Sequence, residues 1–142
     1  MDPLRNFPGY ALRRASNASL ADLSAQLAKL DLRLAEATVL VVIGANPEIK
    51  QSEIGRMLGI ASANMAPIVA KLDDRGLVDR IKADGRSHGL QVTPKGKRLA
   101  DQAFEIMKQH DQTLSARIPE PMRETFFAAL AYIWKDDCQG KG

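Results

Sequence analysis

Apolar residues recur along this chain at helical spacing in several segments, separated by short stretches rich in glycine, proline and charge. Leu20, Leu23, Leu27, Leu30 and Leu34 return every three or four positions, so residues 10 to about 30 read as a helix with a leucine stripe. Pro3, Pro8 and Gly9 mark the residues before it as an irregular arm. The next run, AEATVLVVIG (35–44), is almost wholly apolar after Glu36. Taken alone, VLVVI suits a buried strand as well as a helix. A buried helix ending at Gly44, with Asn46-Pro47 as the turn, is the preferred reading. Further on, Thr93-Pro94 is a helix start, threonine as N-cap and proline at the first helical position. One long helix runs from there to about Ile118, with Leu99, Ala103, Ile106 and Leu114 on its apolar side. Pro119 and Pro121 break it. A last helix, Met122 to about Trp134, carries Met122, Phe126, Leu130 and Ile133 on one face, widened by Phe127 and Trp134.

Between these long helices, Lys50 to Thr93 has a different texture. A short amphipathic pattern with Ile54, Met57 and Leu58 stops at Gly59, and a second follows with Ile68, Val69 and Leu72 on one face. Helix, glycine-containing turn and helix make a helix-turn-helix. Two β-type runs come next, Leu77 to Ile81 and Gly89 to Thr93, around the loop KADGRSH, and Ile49-Lys50 can add a third small strand. Asp84-Gly85 is a strong hairpin signal. The expected fold is therefore mainly α with a small β wing: a winged helix-turn-helix with N- and C-terminal dimerisation helices.

This layout reads DNA through the N-terminal residues of the second helix, which dock against base edges in the major groove. Ser62 is its natural N-cap, and Gln51 or Ser52 that of the first helix. Ser62, Ala63, Asn64, Met65 and Ala66 are then the reading residues. Asn64 is the best base-contact candidate, because its amide matches adenine bidentately. Pro67 conflicts with this placement, since proline past the first turn removes a backbone donor; the helix either starts later or kinks. Gln51, Lys71 and Arg75 join the DNA-binding set. The two cations equally suit local pairs with Asp73, Asp74 or Asp79. Gly76 closes the helix in the left-handed conformation. In the wing, Lys82, Arg86 and His88 flank the turn residues Asp84-Gly85, and Lys82 and Arg86 join the set, Arg86 being suited to an A·T-rich minor groove.

Composition narrows the partner only slightly. The 142 residues make one domain's worth of chain, 45% hydrophobic and 26% charged, with a net charge of +3 and an isoelectric point near 9.2. A mildly basic balance is compatible with a polyanion without requiring one. The single cysteine, Cys138, excludes an intrachain disulfide framework and suits a reducing cytoplasm. No apolar run approaches a membrane span, and MDPLRNFPGY lacks a signal peptide's apolar core, so a cytoplasmic protein is expected. Two scattered histidines, His88 and His110, support neither a zinc site nor a nucleophilic triad. No cofactor, metal or catalytic set is expected, and no enzyme.

The segments QSEIGRMLGI and IVAKLDDRGLVDR, the wing motif Asp84-x-Arg86-Ser87, and VTPKG leading into the long helix occur here in one order and spacing. Together they resemble the MarR family of transcriptional regulators over nearly the whole chain. The resemblance implies a single domain, 1–142, with dimerisation helices at 10–34 and 94–138 around a DNA-binding lobe at 35–93. It implies a homodimer on a palindromic operator, with Arg86 at the wing tip braced by Asp84. Physics agrees on the dimer, because the leucine stripe and Phe126, Phe127 and Trp134 lack partners in a bare winged helix. Two-fold symmetry would set the recognition helices about 34 Å apart.

Members of the family often release the operator on binding a small aromatic carboxylate or phenol. PGYALRR (8–14) resembles the start of the first helix in members that sense aromatic acids. The resemblance gives Arg13 the ligand carboxylate, a task its planar fork suits. Tyr10, Ser16 and Asn17 share or flank that face. The alternative for Arg13 and Arg14 is a surface or phosphate-contacting charge. The expected function is a ligand-responsive repressor; a winged helix used for protein contact or DNA architecture is the alternative.

Overall fold

Among the residues described by the computed structural model, 1–84 and 87–134, six helices and three strands follow one another. They are α1 (Pro8–Ala28), α2 (Leu34–Ala45), β1 (Ile49–Lys50), α3 (Gln51–Leu58), α4 (Ser62–Asp74), β2 (Val78–Asp84), β3 (Ser87–Val92), α5 (Pro94–Arg117) and α6 (Glu120–Trp134). The chain divides into two compact units, Met1–Lys108 and Gln109–Gly142, with α5 passing from one to the other.

In the first unit, the leucine stripe does not stay on one helix. α1 ends at Ala28, and Asp31 takes φ 54° in the connection. A short acidic side chain tolerates that left-handed conformation better than most. Leu32 is buried in the connection and Leu34 opens α2, so only Leu23 and Leu27 of the stripe are buried on α1. α2 is the helix expected for 35–44, apolar nearly all round and accordingly central. Ala37, Val39, Leu40 and Ile43 are all buried. Its start is capped by the Glu36 carboxylate, whose Oε2 accepts from the Arg33 N–H at 2.9 Å.

The same device starts α3. Glu53 Oε2 accepts from the Lys50 N–H at 2.8 Å, so neither Gln51 nor Ser52 is the cap. Ile54 and Gly55 face the core, while Met57, expected on that face, is exposed. Gly59 turns the chain at φ 65°, and α4 begins with Ala61 as N-cap. Ala61 O accepts from the N–H groups of Asn64 (2.9 Å) and Met65 (3.0 Å), so Ser62 is the first helical residue instead of the cap. The helix continues through Pro67 without starting later. The carbonyl deprived of its partner belongs to Ala63, an exposed residue that water can serve. Gly76 at φ 69° ends α4 as expected, with Leu77 N donating to Leu72 O at 3.0 Å.

The three strands form one antiparallel sheet in the order β1-β3-β2, pairing Ile49 with Leu90 and Val78 with Val92. The wing is longer than the sequence suggested. β2 runs on to Asp84 and β3 starts at Ser87, with an irregularity between Lys82 and Asp84. Backbone pairing carries the ladder past the last apolar residue, which a hydrophobic pattern does not register. Thr93 then joins wing to helix. Its Oγ1 accepts from Gly96 N at 3.0 Å, as an N-cap should, and donates to Gly76 O at 2.6 Å. Leu27, Leu40, Ile43, Ile54, Met65, Leu72, Leu77 and Leu90 form the centre of this unit's core.

In the second unit, α5 ends at Arg117, and the Arg123 Nε bridges the carbonyls of Ser115 and Ile118, both at 2.9 Å. α6 begins at Glu120, two residues before the position read from the sequence. Pro121 lies in its first turn, where a missing N–H costs nothing. No residue of α6 is buried. Phe127, Ile133 and Trp134 are exposed at 79%, 65% and 71%.

Candidate nucleic-acid interface

The site grows from the turn at Gly59. Because its conformation directs the chain sharply between α3 and α4, the two helices share an apolar contact through Ile54, Met65, Val69 and Leu72. That contact leaves the first turn of α4 projecting. Ser62, Ala63, Asn64 and Ala66 are exposed, as the reading of this helix requires. Met65 is not available. It is 1% exposed and packed in the core, since its position one turn before Val69 lies on the buried stripe.

α3 and the start of α4 border an open cleft of about 790 Å³. Gln51, Ser52 and Arg56 of α3 line it together with Ser62. Gln51 therefore sits beside the projecting turn, half-buried. Arg56 is a residue that the sequence reading missed. Its signal was its place as the cation on the polar face of an amphipathic helix.

The two cations farther along α4 are engaged elsewhere. Lys71 Nζ lies 2.7 Å from Glu36 Oε1 on α2, not against any of the aspartates near it in sequence. Arg75 donates through Nη1 to Asp31 O at 2.6 Å and through Nη2 to Leu30 O at 3.4 Å. These partners replace the local pairs with Asp73, Asp74 or Asp79, and sequence spacing could not reveal them because they lie on another helix and its preceding turn. Glu36 is the one buried charged residue among those described. Burial raises its pKa, but the Lys71 hydrogen bond, the Arg33 N–H and the nearby positive charges outweigh this, and the net shift is downward from the ordinary value of 4.5.

In the wing, Lys82 is exposed on β2 opposite His88. Asp84 and Ser87 lie on the paired strand ends, while Arg86, like Cys138, falls outside the described residues. On α1, Tyr10, Arg13 and Asn17 follow one another at i, i+3 and i+7 and so share a face. Arg13 and Arg14 stand over the Tyr10 ring, at 5.5 and 5.9 Å from its centroid. Arg13, Ser16 and Asn17 are exposed and Tyr10 is half-buried. Among the described residues no cluster of three His, Cys, Asp or Glu could hold a metal, and no helix is long and apolar enough to cross a membrane.

The MarR family model matches residues 30–87, from the α1–α2 connection to the first residue of β3. Over a longer span, the transcriptional repressor CouR bound to a 23-mer DNA duplex is 32% identical, with a TM-score of 0.83 covering 94% of this chain and 96% of that one. This chain belongs to the MarR family. CouR bound to p-coumaroyl-CoA is similarly related, at 30% identity and a TM-score of 0.83, covering 94% and 95% of the two chains. The HTH-type transcriptional repressor Rv2887 of Mycobacterium tuberculosis is 28% identical over 130 residues, 90% of this chain and 94% of its own. Among the described residues, six helices with a small three-stranded antiparallel sheet are thus the winged-helix fold of a MarR-family transcriptional regulator. These relatives are regulators of transcription, not enzymes.

Proposed function

We propose that this MarR-family regulator acts as a homodimeric repressor on a palindromic operator, and that a small aromatic ligand releases it. The observation carrying the DNA reading is the first turn of α4. Ser62, Ala63 and Asn64 stand exposed on a helix whose opposite face, Met65, Val69 and Leu72, is locked in the core. A rigid helix presenting polar and small residues at its N-terminus suits major-groove docking. Asn64 takes the base-reading role, Gln51 and Arg56 line the cleft shared with Ser62, and Lys82 and Arg86 supply the wing's charge. Asp84 and Ser87 shape the wing tip. The whole chain, 1–142, works as one MarR-type domain in which 35–93 reads DNA. Each unit leaves apolar side chains exposed for a second copy to cover: Leu12 and Leu20 on α1 of the first, and Phe126, Phe127 and Trp134 on α6 of the second.

The ligand class rests on the relatives and on α1. CouR has been seen with p-coumaroyl-CoA and Rv2887 with salicylic acid, both aromatic. In this chain Tyr10 and Arg13 pair a ring with a guanidinium on one helix face, with Ser16 and Asn17 close in sequence. Arg13 binds the ligand's carboxylate in this reading.

Gel shifts against the protein's own promoter region test the repressor. One retarded palindrome is expected, and Asn64→Ala should weaken it by about 1–3 kcal/mol while relaxing preference at one base pair. Retention of no palindrome would remove the repressor reading. A thermal-shift panel of aromatic acids, on wild type and Arg13→Ala, tests the ligand. Equal shifts in both proteins would take Arg13 out of the pocket.

A further inference from the structure

The far half of α4 is held at two points by residues outside the helix-turn-helix. Lys71 meets Glu36 at 2.7 Å, and the second oxygen of the same carboxylate accepts from the Arg33 N–H at 2.9 Å. One turn on, the Arg75 guanidinium reaches the carbonyls of Asp31 and Leu30. Both anchors fall within residues 30–36, the junction where α1 gives way to α2 and Asp31 adopts its left-handed φ. Core packing alone leaves a helix some freedom to rotate or slide. Two directional, charge-assisted contacts on one short segment remove it.

We propose that Glu36 is a positioning residue for DNA reading: through Lys71, and together with Arg75 on the junction carbonyls, it ties the direction of the recognition helix to the α1–α2 junction. The contact has a cost that supports this role. A carboxylate 5% exposed must be matched in charge, and Lys71, its half-exposed partner, matches it at the expense of any phosphate contact. A backbone change at the junction then turns the first turn of α4 without touching it. This inference rests on the DNA reading of α4 given above.

Two opposing expectations make it testable. If charge alone mattered, neutralising an anion near the interface would tighten binding to DNA, and losing Lys71 would lower the salt dependence. If Glu36 positions α4, neutralising it weakens binding and the salt slope does not move. The experiment uses the full chain and, as probe, the duplex that wild type retains most tightly from a random-sequence pool. Affinity is measured over a salt series for wild type, Glu36→Gln, Lys71→Gln and the double variant. Amide exchange over residues 68–76 is followed without DNA. Each single variant should bind roughly 3- to 30-fold more weakly. The double variant should be no weaker than the worse single one, slopes should stay equal, and exchange over 68–76 should quicken. Lys71→Gln, at a half-exposed position, carries the comparison if Glu36→Gln does not fold.

Equal or tighter binding by folded Glu36→Gln, a salt slope lowered by about one per subunit in Lys71→Gln, or unchanged exchange over 68–76 would each overturn the proposal. If wild type retains no duplex at all, the DNA reading itself falls and takes the positioning role with it. That outcome is distinct from wild type binding normally while the variants match it.

Discussion

Replacing Thr93 with valine removes one oxygen atom and keeps the shape, so its cost can be worked out almost contact by contact. That oxygen accepts from the Gly96 N–H at 3.0 Å, satisfying a backbone donor at the start of α5, and donates to the Gly76 carbonyl at 2.6 Å, where α4 ends. Losing a threonine N-cap costs about 1 kcal/mol. The neutral hydrogen bond to Gly76 adds about 0.5–1 kcal/mol, at the lower end because Gly76 is exposed and water can replace it. The sum is about 1.5–2 kcal/mol. Gly96 is buried, so its N–H is poorly placed to find water, and this favours the upper figure. Denaturant unfolding at fixed protein concentration measures the difference through the midpoint at unchanged slope. Thr93→Ser keeps the oxygen and should stay within about 0.5 kcal/mol of wild type. If Thr93→Val does too, or if serine is as damaging as valine, the double role of this hydroxyl is wrong.

Three further outcomes follow from neighbouring features. Gly96→Ala should destabilise the protein by more than about 2 kcal/mol in the same assay, because the added Cβ would collide with the backbone carbonyl of Leu77. Helix propensity alone would have stabilised it by up to about 1 kcal/mol, so the sign decides. Met65→Ala should cost about 2–5 kcal/mol of stability and leave the salt dependence of DNA binding unchanged, since the side chain fills core and meets no phosphate. For Glu36, the folded-state pKa lies below its ordinary value of 4.5, so the stabilisation is complete above that value and fades as pH falls through the lowered one. The stability advantage of wild type over Glu36→Gln, followed by urea unfolding from pH 7 downward, should therefore shrink below about pH 4.5. A gap that holds constant or grows with acid would show that the carboxylate is not charged in the fold.

The order and type of the elements are legible in the amino-acid sequence because they depend on residues close together along the chain. Helical spacing marks α1, α4, α5 and α6; Gly59 and Gly76 mark turns whose positive φ excludes most other residues; Asp84-Gly85 marks the wing. The resemblance carried by GLVDR, Asp84-x-Arg86-Ser87 and VTPKG adds the family, which the similarity to CouR and the MarR family model bear out. Boundaries are less legible. Leu34 continues the stripe of α1 in spacing, yet the chain turns at Asp31, where Leu32 is buried in the core and Arg75 holds the carbonyls of Leu30 and Asp31. Residue type points to serine or glutamine as the caps of α3 and α4. The fold uses Glu53 for one and only the Ala61 backbone for the other.

What tertiary structure alone decided was which partners the side chains of the reading helix take within the fold. Met65, Lys71 and Arg75 all lie on the helix that reads, and by type all three are credible contacts. Met65 belongs to the core, while Lys71 and Arg75 are drawn to a carboxylate and two carbonyls far earlier in the chain. Periodicity says which residues share a helix face, because that is set by local geometry. It cannot say what the face meets, because a buried charge such as Glu36 takes the nearest cation in space.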